Sequence, residues 1–170
     1  MPPASDSFTD EQRLAWFGFL TAHSVLTREL DALLGAAHGM PLVEFEVLLK
    51  LWLAGGRLRM SELADAALLS RSGLTRIVDE LEALGLVSRE PDEHDGRVLL
   101  ATITPLGRRR LRTARKSHLA HVHRLFLDRL TLAQQRALAE SWEAILGAID
   151  PEAPRRRRAG SGVGATSART

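Results

Sequence analysis

Two short helices followed by a hairpin constrain the fold of this chain most strongly. Ser61 precedes a helical segment at 62–67, and Ser70 precedes a second segment at 71–84 that ends at Gly85. Serine is a preferred N-cap because its side-chain oxygen accepts a hydrogen bond from the first turn, and glycine commonly ends a helix. About three residues separate the segments, a spacing that fits a helix-turn-helix but also an ordinary helical hairpin.

The residues after the second helix predict a β-hairpin. Short runs suited to strands lie at 86–90 and 97–103, and the segment between them, 91–96, is polar and contains proline and glycine. Turn-rich segments between two strand-like runs are typical of hairpins. Helix, helix and hairpin in this order predict a winged helix, while residues 57–60 are too few to assign.

Longer helices are predicted on both sides of this unit. A capping box at Thr9 begins a helix whose apolar residues recur at helical spacing until Gly39, and Pro41 begins a short helix. After the hairpin we expect a helix from 105 to about 130, and a last helix after a second capping box at Thr131. The expected fold class is mainly α with a small β-hairpin wing, a winged helix-turn-helix between N- and C-terminal helices.

Composition excludes several classes of protein. The chain has no cysteine, which excludes disulfides, thiol nucleophiles and thiolate metal sites. No apolar run approaches the roughly 20 residues of a membrane span, and the N-terminus lacks the pattern of a signal peptide, so we expect a cytoplasmic protein without a membrane partner. Phosphate-binding glycine loops, zincin helices and serine elbows are missing from the sequence, which predicts neither an enzyme nor a cofactor.

The high pI of 9.9 comes from the C-terminal tail. Residues 151–170 hold five arginines and one acid, which leaves 18 basic and 20 acidic residues in the rest of the chain. Global charge is therefore weak evidence for nucleic-acid binding. The tail is rich in Pro, Gly, Ser and Arg and is expected to be disordered, like the flexible residues 1–8, so that one domain remains at 9–150.

Polar residues that can read DNA occupy the first turn and a half of the second helix in the pair. These residues are Arg71, Ser72, Thr75 and Arg76. In a helix-turn-helix this part of the helix points into the major groove, where arginine can bind guanine through two hydrogen bonds. Gly73 would allow close approach to the duplex. The alternative is that both arginines are ordinary solvated side chains that pair with Asp79 or Glu80 at helical spacing.

The predicted wing carries one arginine at its end. Arg97 follows Asp95 by two residues, and the carboxylate can hold the loop by hydrogen bonding while the guanidinium enters a minor groove. The alternative is an ordinary charged turn. A winged helix that binds protein instead of DNA is the competing class, and arginines on both the helix and the wing favour DNA.

Residues 42–110 resemble the MarR family of bacterial transcriptional regulators. The resemblance rests on LRMSELA at 58–64, LSRSGLTR at 69–76, LEALGLV at 81–87, DGR at 95–97 and ITPLG at 103–107, in the order and spacing of the family. It implies that the four helix residues face the major groove of double-stranded DNA, that Asp95 orients the wing and that Arg97 enters the minor groove.

The resemblance also implies an assembly and a mode of control. Helices at 9–38 and 105–149 would build a homodimer around the winged part at 41–103, and the dimer would act as a ligand-responsive repressor on a pseudo-palindromic operator. Such regulators commonly bind small aromatic or phenolic effectors between the dimer helices and the winged part. Candidate pocket residues here are Trp16, Phe19, His23, Trp52 and His118, although aromatic residues at helical spacing more often belong to a core.

A metal-responsive regulator of the same fold is a further alternative. His118 and His121 lie three residues apart on one predicted helix, a spacing that can bind zinc. Without thiols or a matched carboxylate, these histidines are better explained as helix-surface or core residues. The sequence therefore predicts no metal site.

Overall fold

The computed structural model describes residues 7–92 and 95–149. The elements follow in the order α1 Asp10–His38, α2 Leu42–Leu53, β1 Arg57–Arg59, α3 Met60–Ala67, α4 Arg71–Ala83, β2 Val87–Pro91, β3 Leu99–Ile103, α5 Pro105–Leu125 and α6 Leu132–Ile149. A short 3-10 helix, Leu127–Arg129, lies between α5 and α6. The Arg-rich tail predicted at 151–170, and all but the end of the predicted flexible N-terminus, fall outside the described residues.

Side-chain caps set most helix starts where the sequence predicts them. Thr9 accepts from the backbone N–H of Gln12 at 3.2 Å, and the side chain of Gln12 accepts from the backbone of Thr9 at 2.9 Å. Ser70 caps α4 by accepting from the N–H of Gly73 at 3.1 Å. A cap of this kind stabilises a helix by about 1 kcal/mol. Thr131 begins α6 with the same box geometry as Thr9.

The predicted start of α3 is wrong by two residues. The helix begins at Met60, and the carboxylate of Glu62 accepts from the backbone N–H of Arg59 at 3.1 Å. A glutamate at the third helical position can satisfy a free N–H ahead of the helix. Ser61 is therefore inside the first turn and is not the cap.

The predicted end of α5 is also too late. Phe126 leaves the helical conformation at φ −129°, which ends α5 at Leu125. The amide of Gln135 then donates to the backbone carbonyls of Leu127 and Leu130, at 3.0 and 3.2 Å. These bonds satisfy carbonyl groups that a continuing helix would have used.

A three-stranded antiparallel sheet forms in the order β1, β3, β2. Arg57 of β1 faces Thr102 of β3, and Val87 of β2 faces Ile103. The hairpin of β2 and β3 confirms the sequence prediction. Strand β1 was not assigned from the sequence because its three residues become a strand only when β3 supplies a partner.

The hydrophobic core lies under α2, α3, α4 and the sheet. Its largest fully buried side chains are Phe45, Leu34, Met40, Leu48, Leu51, Leu63, Leu74, Leu81, Val47, Val78 and Val87. Helix α1 contributes only Leu34 to it, and no residue of α6 is buried within the single chain. The outer helices therefore leave most of their apolar side chains exposed.

Among the described residues no single helix has the length and apolar character of a membrane span, although α1 and α2 together do across an 85° bend.

Gly107 brings α5 into close contact with the base of the hairpin. A Cβ atom at this position would lie 2.1 Å from the carbonyl oxygen of Leu86 and 2.9 Å from Cγ1 of Ile103. Thr104, the cap of α5, also donates its hydroxyl to the carbonyl of Gly85 at 2.7 Å. The start of α5 is thus fixed directly to the sheet.

Candidate nucleic-acid interface

Helix α4 has one buried side and one exposed side. The buried residues are Leu74, Ile77, Val78 and Leu81. The exposed residues include the four predicted to read DNA, namely Arg71, Ser72, Thr75 and Arg76. The apolar side fastens the helix to the core and leaves the polar side open to solvent, which is the arrangement that a helix needs to enter a groove.

The hydroxyl groups at the start of α4 are arranged around its cap. Ser72 Oγ lies 3.3 Å from Ser70 Oγ, and the Thr75 hydroxyl donates to the carbonyl of Arg71 at 2.9 Å. A Cβ at Gly73 would lie 3.0 Å from Ser70 Oγ. Glycine at 73 therefore leaves room for the capping hydroxyl. The sequence explained this glycine only by close approach to the duplex.

The two arginines of α4 differ in their partners. Arg76 lies 3.8 Å from Glu80, with the two side chains 75% and 46% exposed. An exposed pair of this kind contributes about 0–1 kcal/mol, so Arg76 can exchange Glu80 for a phosphate or a base at little cost. Arg71 is in no ion pair within the described part of the chain. Asp79, the other predicted partner, pairs with Arg89 instead.

The wing loop is held by the backbone and side chain of Asp95. Its carboxylate accepts from the N–H of Arg97 at 3.1 Å, and its carbonyl accepts from the N–H of Val98 at 2.9 Å. The N–H of Asp92 donates to the carbonyl of Val98 at 2.8 Å and closes the loop. Asp95 thus holds the turn by these hydrogen bonds, and the Arg97 side chain is exposed. Residues 93 and 94 are not among those described.

Arg89 joins the wing to α4 and was not a predicted site residue. From β2, its guanidinium contacts Asp79 Oδ1 at 2.6 Å and Glu82 Oε2 at 2.5 and 2.9 Å. Its backbone N–H donates to the other oxygen of Glu82 at 3.1 Å. These hydrogen bonds raise the pKa of Arg89 above its ordinary value. The sequence does contain a signal for this contact. The strand that follows α4 carries an arginine, and α4 itself carries two acidic residues one turn apart.

The basic stretch at the start of α5 is partly used for packing. The side chain of Arg108 lies against Gly56, and Arg110 donates to the carbonyl of His38 at the end of α1. Arg115 lies over the ring of Trp52, 4.7 Å from its centre. Three other basic side chains of this stretch are exposed and can neutralise phosphates without sequence preference, namely Arg109, Arg112 and Lys116.

The residues predicted for an effector pocket lie in three separate places. On α1, Phe19 contacts Trp16 and His23, each with ring centres 6.2 Å apart, and Phe19 also contacts Trp142 of α6 at 5.0 Å. Trp52 lies under Arg115, and His118 stacks on Phe45 at 4.5 Å.

A cavity of about 420 Å³ between α1 and α2 is lined by His23, Ser24, Thr27, Arg28, Asp31, Leu42, Val43 and Glu46. Of the five predicted residues, it includes His23.

Two histidines on α5 have buried ring nitrogens. The Nδ1 atoms of His118 and His121 have no hydrogen-bond partner within the described residues. Burial, and secondarily the charge of His121, lowers the pKa of His118. In residues 7–92 and 95–149, no three His, Cys, Asp or Glu side chains converge as a metal site would require. The metal-responsive alternative thus gains no support from this pair.

Solved structures of the same architecture are transcriptional regulators, one of them in complex with DNA. Sco3205, a MarR family transcriptional regulator from Streptomyces coelicolor in complex with DNA, is 35% identical, with 88% of this chain and 94% of that chain covered and a TM-score of 0.80. AbsC, a MarR family regulator from the same organism, is 31% identical over 91% and 99% of the two chains, with a TM-score of 0.73. The transcriptional regulator BldR from Sulfolobus solfataricus is 27% identical over 82% and 96%, with a TM-score of 0.71. No curated protein sequence matches.

The family profile matches the part of the chain that carries the site. The MarR family profile covers residues 38–98, which include α2, α3, α4 and the start of the wing. The winged helix fold and the resemblance seen in the sequence are thereby confirmed, together with the expectation of a DNA-binding regulator that is not an enzyme. The chain belongs to the MarR family of transcriptional regulators.

Proposed function

We propose that this protein is a homodimeric repressor that reads a pseudo-palindromic operator with α4 in the major groove and Arg97 in the minor groove. The observation that carries the proposal is the exposed face of α4, which bears Arg71, Ser72, Thr75 and Arg76. A major groove is about 12 Å wide and admits one helix, while an adjoining wing reaches the flanking minor groove. The protein would act in the cytoplasm, where bacterial DNA lies.

The exposed apolar surface of the outer helices supports a homodimer. On α1 this surface includes Leu14, Trp16, Phe17, Phe19, Leu20 and Val25, and on α5 and α6 it includes Leu119, Leu132, Ile145 and Ile149. Large apolar patches on a soluble chain mark interaction surfaces. A second copy with the same surface would cover them by twofold symmetry and place two recognition helices about 34 Å apart, one DNA turn.

Salt dependence of DNA binding tests this function against the protein-interaction alternative. Duplex fragments from the region upstream of the coding sequence are titrated with protein by fluorescence anisotropy at increasing salt. A DNA reader that displaces six phosphate-bound ions loses roughly a thousandfold in affinity between 50 and 200 mM salt. Failure to select any genomic fragment would contradict the regulator proposal and favour a winged helix that binds protein.

The wing contact makes a separate prediction. Replacing Arg97 with alanine should weaken operator binding about tenfold or more, if its minor-groove contact is comparable to the roughly 1–3 kcal/mol of an arginine that reads a base edge. Dimerisation and the unfolding midpoint should stay nearly unchanged, since the side chain is exposed. An unfolded Arg97→Ala protein would instead make Arg97 a structural residue.

The cavity between α1 and α2 supports effector binding near the dimer helices. Arg28 and His23 line it and can bind the oxygen atoms of a small aromatic or phenolic acid, while Leu42 and Val43 provide apolar contact. A phenolic carboxylate such as 4-hydroxybenzoate serves as the probe. We expect it to release the operator fragment from the native protein and to have less effect on Arg28→Ala; release that is equal in both proteins would place the effector elsewhere.

A further inference from the structure

We propose that Arg89 is a positioning residue that fixes the wing relative to the recognition helix, so that Arg97 and Arg71 engage neighbouring grooves together. The proposal rests on the proposed function, since it assumes that both arginines contact DNA. In this role Arg89 need not contact DNA itself. It acts through the two carboxylates of α4 that hold its side chain and backbone.

The contacts of Arg89 define a clasp between β2 and α4, made of Arg89, Asp79 and Glu82. Nη1 lies 2.6 Å from Asp79, while Nε and Nη2 share one oxygen of Glu82 at 2.9 and 2.5 Å. The second oxygen of Glu82 accepts from the backbone N–H of Arg89 at 3.1 Å. The clasp thus fixes the strand by its main chain as well as by its side chain.

The clasp is better defined than the other charged pair on α4. The Arg89 side chain is 25% exposed and lies between Asp79 and Glu82, at 53% and 37%. Arg76 and Glu80 make one contact at 3.8 Å, and the Arg76 side chain is 75% exposed. A planar guanidinium with several short charge-assisted bonds holds a fixed geometry, which a single exposed pair does not.

The place of the clasp in β2 explains why it would matter for DNA. Strand β2 leads from the end of α4 to the wing loop, and five residues of strand span about 16 Å. A tilt of the strand by about 10° would move its far end by roughly 3 Å, whereas hydrogen bonds tolerate a few tenths of an ångström. Without the clasp, we expect the position of the wing relative to α4, and that of Arg97 with it, to vary more.

A double-mutant cycle tests the positioning role. Binding of the tightest upstream duplex is measured for the native protein, Arg97→Ala, Arg89→Met and the double variant. If the clasp positions the wing, Arg97→Ala costs about tenfold in the native background but less than about threefold beside Arg89→Met, because coupled residues give non-additive effects. Equal losses in both backgrounds would overturn the proposal.

Two further variants separate position from charge. Arg89→Met also leaves two unpaired carboxylates near the DNA, so Asp79→Asn and Glu82→Gln are added to it to remove that charge. The effect of Arg97→Ala should remain small in this neutral protein, and a return to about tenfold would show that repulsion alone was responsible. Arg89→Lys keeps the charge without the planar fork and should restore the effect of Arg97→Ala only in part.

Controls distinguish failure of this inference from failure of the proposed function. Arg13→Met breaks an exposed pair with Asp10 at 3.2 Å on α1 and should leave DNA binding unchanged. If Arg89→Met does not fold, Glu82→Ala removes every bond between Glu82 and Arg89 and takes its place in the cycle. No effect of Arg97→Ala in the native background would contradict the proposed wing contact, whereas a full but additive effect would contradict the clasp alone.

Discussion

Leu68 has a backbone conformation that leucine rarely adopts. It lies in the turn between α3 and α4 at φ 56° and ψ 37°, and its side chain is 93% exposed. The conformation closes the end of α3, because the N–H of Leu69 donates to the carbonyl of Ala64 at 3.0 Å. A left-handed residue other than glycine costs about 1–2 kcal/mol. The turn of the helix pair therefore carries a strain that no buried contact of this side chain offsets.

We predict that Leu68→Gly stabilises the protein. Relief of the left-handed strain should exceed the entropy that glycine adds to the unfolded chain, for a net gain of roughly 0.5–1 kcal/mol in urea unfolding. Leu84→Gly is the matched control, because Leu84 is also exposed but lies at φ −83°. The control should be destabilised, and a loss of stability in both variants would show that Leu68 is not strained.

Gly107 gives a second prediction, with the opposite sign. Alanine is a better helix former than glycine by about 1 kcal/mol, yet Gly107→Ala should lower the free energy of unfolding by about 1–3 kcal/mol, because its Cβ would overlap the Leu86 carbonyl. In Gly35→Ala the new methyl group meets open space. Chemical denaturation should show that control to be neutral or stabilised; a neutral Gly107→Ala would mean that α5 moves freely away from the sheet.

At the level of elements, the packing of α5 on α2 makes stability depend on pH. His118 of α5 stacks on Phe45 of α2, and burial together with the nearby His121 lowers its pKa from 6.5. As the pH falls below 6.5, the unfolded chain takes up this proton before the folded chain does, so stability decreases toward acid. Above that pH both states are neutral and the contribution disappears.

His118→Gln removes this group from the titration. We expect the drop in unfolding free energy between about pH 8 and pH 5 to be smaller in this variant than in the native protein. His123→Gln is the control, since His123 is exposed and pairs with Asp128 on the surface at 3.4 Å. A drop that is unchanged in His118→Gln would contradict the assignment to His118.

Elements with local signals were predictable from the sequence, and those with distant partners were not. Thr9 and Ser70 cap helices through residues three positions away, a distance that a sequence shows directly. Strand β1 depends on β3, where Arg57 meets Thr102, and three residues contain too little pattern to reveal this. The end of a helix also depends on contacts that the sequence does not show. At Phe126, for example, α5 ends earlier than the sequence predicts.

The residues of the candidate site can also be divided into those with local signals in the sequence and those that depend on distant partners. The exposed polar residues of α4 lie within six consecutive positions, and the helical spacing of the apolar residues alone predicts that Arg71 and Arg76 are exposed. Arg89 was missed because its role depends on which strand face turns toward α4, which only the packed structure shows. The effector candidates were chosen by residue type, and type does not determine that Trp52 lies beneath Arg115.

For the whole molecule, the exposed outer helices predict stability that depends on concentration. If a second copy covers Trp16 and Phe17, the melting temperature should rise with protein concentration, because association stabilises only the folded state. Phe17→Glu should lower the melting temperature and yield monomers in sedimentation experiments. Leu106→Glu, on an exposed residue of α5 near the sheet, is the control that should remain dimeric. A melting temperature independent of concentration in the native protein would contradict the dimer.

The order of the strands has a consequence for synthesis of the chain. Strand β3 is central in the sheet but is the last strand to leave the ribosome, about 40 residues after β1. Neither edge strand can find its partner before Leu99–Ile103 has emerged. Closing so long a loop is slow compared with forming helices, so α3 and α4 can pair while the wing is still unformed. During translation, α4, the proposed recognition helix, would therefore form before the wing that carries Arg97.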